Sequence, residues 1–289
     1  MKVLAYPVRR EDTKTSKRFI FRVENGEEEK FLSGDFDFSA GHVYVLDVDD
    51  TPGRYGMRII HGSLPASEED SKMMIKRFGP SPVPSVKEMV ELAVSIVNSV
   101  PDSSYSYQTR PLTTHQVNKA FQCYFNNDKD EMQKFLVCPA STRYHDSQEG
   151  GLIRHIYGML KILKSWWSGL DDYENYSLHP LIVVTGILFH DLGKVRQYDI
   201  LEGGGYAQAE DASYMHFHIG FGSERWAQKG NEICEILGNP DMYKDILHLI
   251  KSHHGPISHE LGSEADPFGP DAWTLHAIDL LQSQQEKMK

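Results

Sequence analysis

The spacing of apolar residues changes character near residue 65. Before that point, short strand-like stretches alternate with turns. Residues 19–23 are rich in β-forming side chains, and Asn25-Gly26 follows them as a hairpin signal. Further strands are predicted at residues 31–32, 42–48 and 55–60. Four or five short strands within about sixty residues favour a small β-barrel, because closure removes exposed strand edges. The OB-fold is one barrel of this kind.

From residue 85 onward, apolar residues recur at helical spacing. Ser85 is predicted to be a helix N-cap, and Glu88 completes a capping box. Residues 66–84 are polar and then rich in proline, which predicts a linker. The expected fold class is therefore α+β with several domains: a β-rich, OB-like barrel over residues 1–65, the linker over 66–84, and an all-α helical bundle over 85–289.

Composition narrows the class of protein. The chain has 289 residues, of which 40% are hydrophobic, enough for a sizeable core. Its net charge of −11 argues against a protein that coats nucleic acid through bulk charge. Three scattered cysteines without CxxC spacing argue against a disulfide framework or a thiolate zinc site. With no leader-like or membrane-spanning stretch in the sequence, we expect a soluble, cytoplasmic protein without membrane association.

The adjacent residues His190 and Asp191 carry the clearest chemical signal. They follow an apolar run at residues 181–189, which predicts that both lie near a core. An aspartate is rarely buried unless something neutralises its charge. A His–Asp hydrogen bond at a helix end would do so, and so would a metal ion that accepts imidazole and carboxylate ligands. The dipeptide alone leaves both interpretations open.

Other histidines and one more aspartate occur in order on the predicted helices around this pair. The candidate metal ligands are His155, His190, Asp191, His218, His253, His254 and Asp279. Seven donors exceed what one ion with roughly four to six ligands uses alongside water. Two ions bridged by Asp191 and a water or hydroxide would use them well, and the bridged water would become a nucleophile. We expect two divalent ions, Mn first, with Fe, Co, Ni, Zn and Mg as alternatives.

Histidines outside this set are expected to be ordinary core or surface residues. A lone histidine near apolar residues is more often a satisfied core residue than a ligand, which applies to His216 and His276. His276 precedes Asp279 by three residues, so it shares a helix face with Asp279 and is a candidate supporting residue. His248 lies in an apolar helical stretch and could equally be core.

The sequence resembles the HD superfamily of metal-dependent phosphohydrolases and, within it, the YhaM-type 3′→5′ exoribonucleases, which join an OB-fold domain to an HD domain. The resemblance is carried by four segments: residues 135–155, 186–194 with the His-Asp pair, 252–255 with Ser-His-His-Gly, and 271–279. His218 falls where the family carries another metal histidine. Two positions depart from the pattern. Arg154 stands where the family usually carries an acid, and no acidic residue follows soon after Asp279.

The resemblance implies hydrolysis of phosphoesters at the predicted two-metal site. Asp191 would be catalytic as the bridging ligand. Lys194 follows Asp191 by one helical turn and is the first candidate for a catalytic and substrate-binding cation on the phosphoryl oxygens, although an exposed helix-end lysine is the alternative. Arg154 and Arg143 are weaker substrate-binding candidates.

The expected substrate is single-stranded RNA or DNA, or a nucleotide. The N-terminal part carries a local basic cluster in an otherwise acidic chain, formed by Arg9, Arg10, Lys14, Lys17 and Arg18. Phe19 and Phe21 alternate with Arg18 and Arg22, and OB-folds hold single strands by stacking and phosphate contacts. The alternative, which we favour for the phenylalanines, is that they form the barrel core.

Other functions stay open on the sequence alone. One is hydrolysis of a small nucleotide or cyclic dinucleotide, with the β-domain as a regulatory or oligomerisation module; assembly into a homo-oligomer is compatible with the sequence. Another is a di-iron HD oxygenase. A non-catalytic nucleic-acid-binding module with a relic metal site is the third, and the full ligand set argues against it.

Overall fold

The computed structural model describes residues 1–10, 17–25, 28–32, 38, 42–49, 57–78, 82–99, 111–141, 146, 149–169, 178–200, 206–259 and 262–285. These form two compact units. The first unit comprises Met1–Pro82 with Ile200–Ala207, and the second comprises Val83–Asp199 with Gln208–Lys289. Within the described residues, no helix combines the length and the apolar character that crossing a membrane requires.

Five strands of the first unit close into a barrel in the order β1-β2-β3-β5-β4. Their bounds are β1 Lys2–Arg10, β2 Arg18–Val23, β3 Glu28–Leu32, β4 Tyr44–Val48 and β5 Met57–Pro65. β3 and β5 pair in parallel, whereas the other neighbours are antiparallel. The predicted barrel is confirmed, while its assignment to the OB-fold stays a prediction.

Strand β1 is absent from the sequence-based prediction. Its residues Val3, Leu4, Ala5 and Tyr6 form a continuous apolar run without alternation, followed by Pro7. Ala5 lies in the barrel core, whereas Leu4 and Tyr6 pack in a second apolar cluster on the other face. A strand buried on both faces has no period of two to detect. The register shift in its pairing with β2 comes directly after Pro7, which cannot donate a ladder hydrogen bond.

Phe19 and Phe21 are core residues of the barrel. Both are buried, and both pack edge-on against Phe38. The expectation that they are core is therefore confirmed, and they do not offer a stacking surface for nucleobases. In the predicted basic cluster, Lys14 and the side chains of Arg9 and Arg10 lie outside the described residues.

The stretch predicted to be a linker contains a helix, α1 (Glu68–Phe78). The hydroxyl of Ser67 accepts a hydrogen bond from the backbone N–H of Asp70, as a helix N-cap does. Met74 is fully buried against Leu4 and Tyr6 of the barrel. The sequence did not predict this helix within the linker. Among the α1 side chains that the structure describes, Met74 alone is buried, which leaves a weak periodic signal. The domain bounds 1–65 and 85–289 stay predictions.

The second unit is built mainly from helices. They are α2 Val86–Val97, α3 Thr114–Tyr124, α4 Lys129–Val137, α5 Gly151–Ser168, α6 Pro180–Phe189, α7 Lys194–Gln197, α8 Phe217–Leu237, α9 Tyr243–Ser252 and α10 Gly269–Gln285, with a 3₁₀ turn at Pro240–Met242. Two short strands, β6 (Tyr198–Ile200) and β7 (Tyr206–Gln208), pair with each other and were not predicted; residues 200 and 206–207 of these strands are counted in the first unit. The three cysteines, Cys123, Cys138 and Cys234, are free and buried in the structure.

Helix α6 forms the centre of the helical core. All ten of its residues are buried, so it is apolar on every side, as a helix surrounded by others must be. Pro180 occupies its first turn, where a missing N–H costs nothing. The helix ends at Phe189, with His190 as its C-cap. The His-Asp pair therefore lies in the turn after a helix rather than within one.

We predict that Ser85→Ala lowers the free energy of unfolding of the helical unit by about 1 kcal/mol. Ser85 and Glu88 form the complete capping box at the start of α2, as predicted, and Ala cannot accept the N–H of Glu88. All four tryptophans, Trp166, Trp167, Trp226 and Trp273, lie in this unit, so tryptophan fluorescence in urea follows its unfolding alone.

Ser95→Ala is the matched control for this measurement. Ser95 is exposed in the interior of the same helix, where alanine has the higher helix propensity. We expect no loss of stability in this variant. Equal losses in both variants would contradict a specific role for the cap.

Candidate metal centre

The carboxylate of Asp191 lies between two groups of histidines. Its Oδ2 atom is 3.4 Å from Nε2 of His155 and 3.4 Å from Nε2 of His190. Its Oδ1 atom is 3.3 Å from Nε2 of His218 and 3.6 Å from Nε2 of His253. Each carboxylate oxygen thus faces a separate pair of imidazole nitrogens. Asp191 itself is only 1% exposed.

Two further predicted ligands complete these groups. An oxygen of Asp279, on α10, lies 3.3 Å from Nε2 of His155. One nitrogen of His254 lies within 4.8 Å of nitrogens of His218 and His253. Three overlapping sets of donor atoms result: His155, His190 and Asp279; His190, Asp191 and His253; and His218, His253 and His254. The fold therefore brings together all seven residues predicted from the sequence.

The histidines around Asp191 are held by oxygen acceptors at Nδ1. Backbone carbonyls serve two of them: Ile187 for His190 at 3.0 Å and Ile250 for His253 at 2.8 Å. Each carbonyl lies three residues earlier, at the end of the preceding helix. A carbonyl oxygen only accepts, so each Nδ1 carries its proton and each Nε2 keeps a lone pair.

Glutamine side chains serve the other two histidines. Oε1 of Gln197 accepts from Nδ1 of His218 at 3.0 Å and from its backbone N–H at 2.9 Å. Oε1 of Gln282 accepts from Nδ1 of His155. Neither glutamine was predicted from the sequence, because a single polar residue on a helix carries no local pattern that distinguishes it from a surface glutamine.

Local backbone geometry places His218 at the start of α8. His216 and Phe217 both adopt left-handed conformations, with φ of 52° and 55°. Such conformations are costly for residues other than glycine and persist where the surrounding structure enforces them. They turn the chain into the helix, so that His218 occupies its first turn and is buried. His216 itself is exposed.

Burial and neighbouring charges shift the acid–base properties of the site. Burial alone would raise the pKa of Asp191, but the ammonium of Lys194 and the imidazole of His190 hold it well below its usual range. Burial also lowers the pKa of His218 and of His253 well below that of a free imidazole. These two histidines are therefore neutral at pH 7, the state in which imidazole binds a metal.

The donors fit a divalent cation. Among the described residues, Nε2 of His190 and Oδ1 of Asp191 are buried polar atoms without a hydrogen bond. Such atoms are costly in a folded protein unless an ion or water satisfies them. Imidazole nitrogens with protonated Nδ1 atoms, together with carboxylate oxygens, are ligands that borderline divalent metals accept.

Lys194 is buried beside this group rather than exposed at a helix end. Its Nζ atom lies 2.5 Å from Oδ2 of Asp191, and the residue is 7% exposed. Burial acts to lower the pKa of Lys194, but the Asp191 carboxylate raises it above its usual value. A permanent cation thus lies within the site, and the alternative of a solvated surface lysine is wrong.

Of the two weaker substrate-binding candidates, Arg154 and Arg143, the structure describes only Arg154. Arg154 is buried and donates from Nε to the carboxylate of Asp146, which argues against its predicted contact with substrate. Arg143 lies outside the described residues. His276 donates from Nδ1 to the carbonyl of His253 at 2.8 Å, so it contacts the backbone of a predicted ligand, and its supporting role stays a prediction. His248 is half-buried, and its Nε2 accepts from the backbone N–H of Phe268.

Parts of the chain are similar in sequence to known proteins. Residues 152–284 match the HD domain family. The chain is similar to the 3′-5′ exoribonuclease YhaM of Shouchella clausii (strain KSM-K16), with 35% identity over 165 residues, 55% of this chain and 46% of that protein. It is also similar to the 3′-5′ exoribonuclease YhaM of Bacillus subtilis (strain 168), with 25% identity over 244 residues, 84% of this chain and 68% of that protein. The match to the first relative spans about half of that protein's length. No solved structure matches the chain.

We predict that Gly193→Ala destabilises the helical unit by about 1–3 kcal/mol. A Cβ atom at Gly193 would lie 2.0 Å from the carbonyl oxygen of His218, and backbone atoms cannot move aside as a flexible side chain can. Urea unfolding followed by tryptophan fluorescence measures the loss. Gly169→Ala is the control, because its Cβ would have no contact closer than 3.5 Å. A stability of Gly193→Ala equal to that of the control would show that this close approach is not required.

Proposed function

We propose that the protein is a metal-dependent phosphohydrolase that cleaves phosphodiester bonds, because its residues 152–284 match the HD domain family. The more specific proposal is a 3′→5′ exonuclease acting on single-stranded RNA or DNA, in line with the relatives named 3′-5′ exoribonuclease. The observation that best supports a metal-dependent hydrolase is that the two oxygens of Asp191 face two different pairs of imidazole nitrogens.

We propose that the site holds two divalent ions, with Mn²⁺ as the first candidate. His155, His190 and Asp279 would hold one ion, and His218, His253 and His254 the other. Asp191 would contribute one oxygen to each. Bound in this way, the ions would supply a nucleophilic hydroxide at neutral pH and would neutralise charge on the phosphoryl group.

The chain's own residues prepare this chemistry. Contacts on both oxygens hold the Asp191 carboxylate: Nζ of Lys194 lies 2.5 Å from Oδ2, and Nε2 of His218 lies 3.3 Å from Oδ1. Lys194 places a permanent positive charge beside that carboxylate. Such a fixed cation can bind a non-bridging oxygen of the substrate's phosphoryl group, where negative charge grows during hydrolysis.

The barrel is proposed to contribute substrate binding, over the proposed domain range 1–65. Small five-stranded barrels commonly bind oligonucleotides along one face. Because Phe19 and Phe21 are buried, we propose phosphate contacts from surface cations of the barrel as the means of binding. The closed barrel and the similarity to proteins named as exoribonucleases support this role.

We predict that chelator-treated protein is inactive and that Mn²⁺ restores shortening of a 5′-labelled single-stranded RNA from its 3′ end, with release of mononucleotides. Asp191→Asn and His190→Ala should each lower the rate by more than about 100-fold, because they remove a proposed ligand. His115→Ala is the matched control, since His115 is exposed on helix α3 and far in sequence from the proposed ligands. Its rate should equal that of the wild type.

Two other outcomes would identify a different function, and a third would refute the metal site. Intact RNA and DNA strands together with hydrolysis of a mononucleotide or cyclic dinucleotide would identify a small-nucleotide phosphohydrolase. Iron-dependent oxygen uptake by anaerobically purified protein would identify an oxygenase. No bound metal after purification without chelator, with unchanged activity in Asp191→Asn, would refute the metal site itself.

We predict opposite effects of Lys194→Met on metal binding and on turnover. Loss of the ammonium leaves the buried Asp191 anion unpaired in metal-free protein, which costs about 3–5 kcal/mol of stability. Mn²⁺ should bind at least as tightly as in the wild type, because no cation competes for the carboxylate. The hydrolytic rate should fall by about 100- to 1,000-fold.

Calorimetric titration with Mn²⁺ and single-turnover kinetics measure these two effects of Lys194→Met. Lys161→Met, at an exposed position on helix α5, is the control. An unchanged rate in Lys194→Met would remove Lys194 from the proposed chemistry.

A further inference from the structure

A buried chain of hydrogen bonds leads from Arg154 to His155 through two distant side chains. Arg154 donates from Nε to Oδ1 of Asp146. Oδ2 of Asp146 accepts from Nε2 of Gln282 at 2.8 Å. Oε1 of Gln282 accepts from Nδ1 of His155. All four residues are buried, and Asp146 is 0% exposed.

The surrounding backbone makes room for this chain. A Cβ atom at Gly158 would lie 3.0 Å from Cγ of Gln282, and one at Gly151 would lie 1.8 Å from the carbonyl oxygen of Asp146. That carbonyl accepts from the backbone N–H of Ala140 at 2.9 Å. Two glycines of α5 therefore accommodate Gln282 and Asp146, so the arrangement is built into the fold rather than being a chance contact of flexible side chains.

The chemistry of the partners fixes the direction of each hydrogen bond. The carboxylate of Asp146 only accepts, so the amide of Gln282 must turn its N–H group toward it. The carbonyl end of the amide then faces His155, and a carbonyl oxygen also only accepts. Nδ1 of His155 must carry a proton, which leaves Nε2 as the nitrogen with a lone pair.

We propose that Gln282, oriented by Asp146 and Arg154, is a positioning residue that directs Nε2 of His155 toward the metal. The inference rests on the proposed role of His155 as a ligand, but not on the substrate or on the direction of cleavage. Histidine ligands are commonly oriented by a carboxylate bonded directly to the other ring nitrogen. Here a neutral amide stands between the carboxylate and the imidazole.

The inserted amide gives orientation without adding a negative charge beside the ligand. The charge of Asp146 lies one side chain farther away and is neutralised by Arg154. A buried ion pair is weak evidence for stability on its own, because desolvation offsets its attraction. Here the Asp146–Arg154 pair has a specific effect, because Asp146 fixes the direction of the Gln282 amide next to a proposed metal ligand.

The test is calorimetric titration of chelator-treated protein with Mn²⁺, comparing Gln282→Met with wild type. Methionine keeps the length of the side chain but cannot accept from His155. We expect the dissociation constant of one ion to rise by about 10- to 100-fold, with that of the other within about twofold. Gln284→Met makes the same change two residues later on α10 and should bind both ions as the wild type does.

Asp146→Asn tests the orientation of the amide. Asparagine keeps the shape but offers both N–H and C=O, so the amide of Gln282 is no longer fixed. The same dissociation constant should rise, and the double variant with Gln282→Met should bind no more weakly than Gln282→Met alone, because both act through one chain. If Gln282→Met does not fold, Asp146→Asn decides the question.

The Mn²⁺ titrations distinguish a positioning role of Gln282 from a purely structural one. Wild-type dissociation constants in Gln282→Met or in Asp146→Asn, even with a lower melting temperature of the metal-free protein, would show a structural role only and overturn the inference. Additive losses in the double variant would overturn the path through Gln282. Absence of Mn²⁺ binding by the wild type would instead refute the proposed metal site.

Discussion

Neutralisation of the buried Asp191 carboxylate is the constraint on which the centre of the helical unit depends. A carboxylate removed from water is tolerated only with compensating charge or hydrogen bonds. Here the compensating charge within the protein is Lys194, whose Nζ lies 2.5 Å from the carboxylate, while the imidazole Nε2 atoms 3.3–3.6 Å away present lone pairs that could share a cation with it. These groups come from separate helices, so the helices must meet at one point. The helices therefore have to pack in the one arrangement that brings these groups to the Asp191 carboxylate.

The helices meet at this point with little freedom. Helix α6 is apolar on all sides and ends at the pair His190-Asp191. Gly193 brings the following turn into direct contact with the backbone at His218. Carbonyls at the ends of α6 and α9 orient His190 and His253, whereas Gln197 and Gln282 orient His218 and His155. Each of these acceptors holds the Nδ1 side of a ring, and the opposite Nε2 atoms lie 3.3–3.6 Å from the oxygens of Asp191. This convergence supports a metal centre more strongly than the number of histidines does.

Two residues far apart in the sequence meet at one buried carboxylate. Arg154 and Gln282 both contact Asp146, one through each carboxylate oxygen. Gln282 in turn provides a neutral polar partner for His155. The charge of Asp146 is thus paired with Arg154 and kept one side chain away from the imidazole.

The sequence by itself determined the local features and the identity of the candidate donors. The capping box at Ser85, the helix around His155 and the core role of Phe19 follow from periodicity and residue type, and the structure has them. Tertiary structure alone decided the rest. Strand β1 is buried on both faces and shows no alternation, and Met74 is the only buried residue among the described side chains of α1, so neither element has a detectable period. Gln197, Gln282 and Asp146 act across 21, 127 and 136 residues of chain, and such contacts leave no local pattern. Only the packed helices show that Asp191 faces two groups of nitrogens, because the direction of a side chain is set by its neighbours in space.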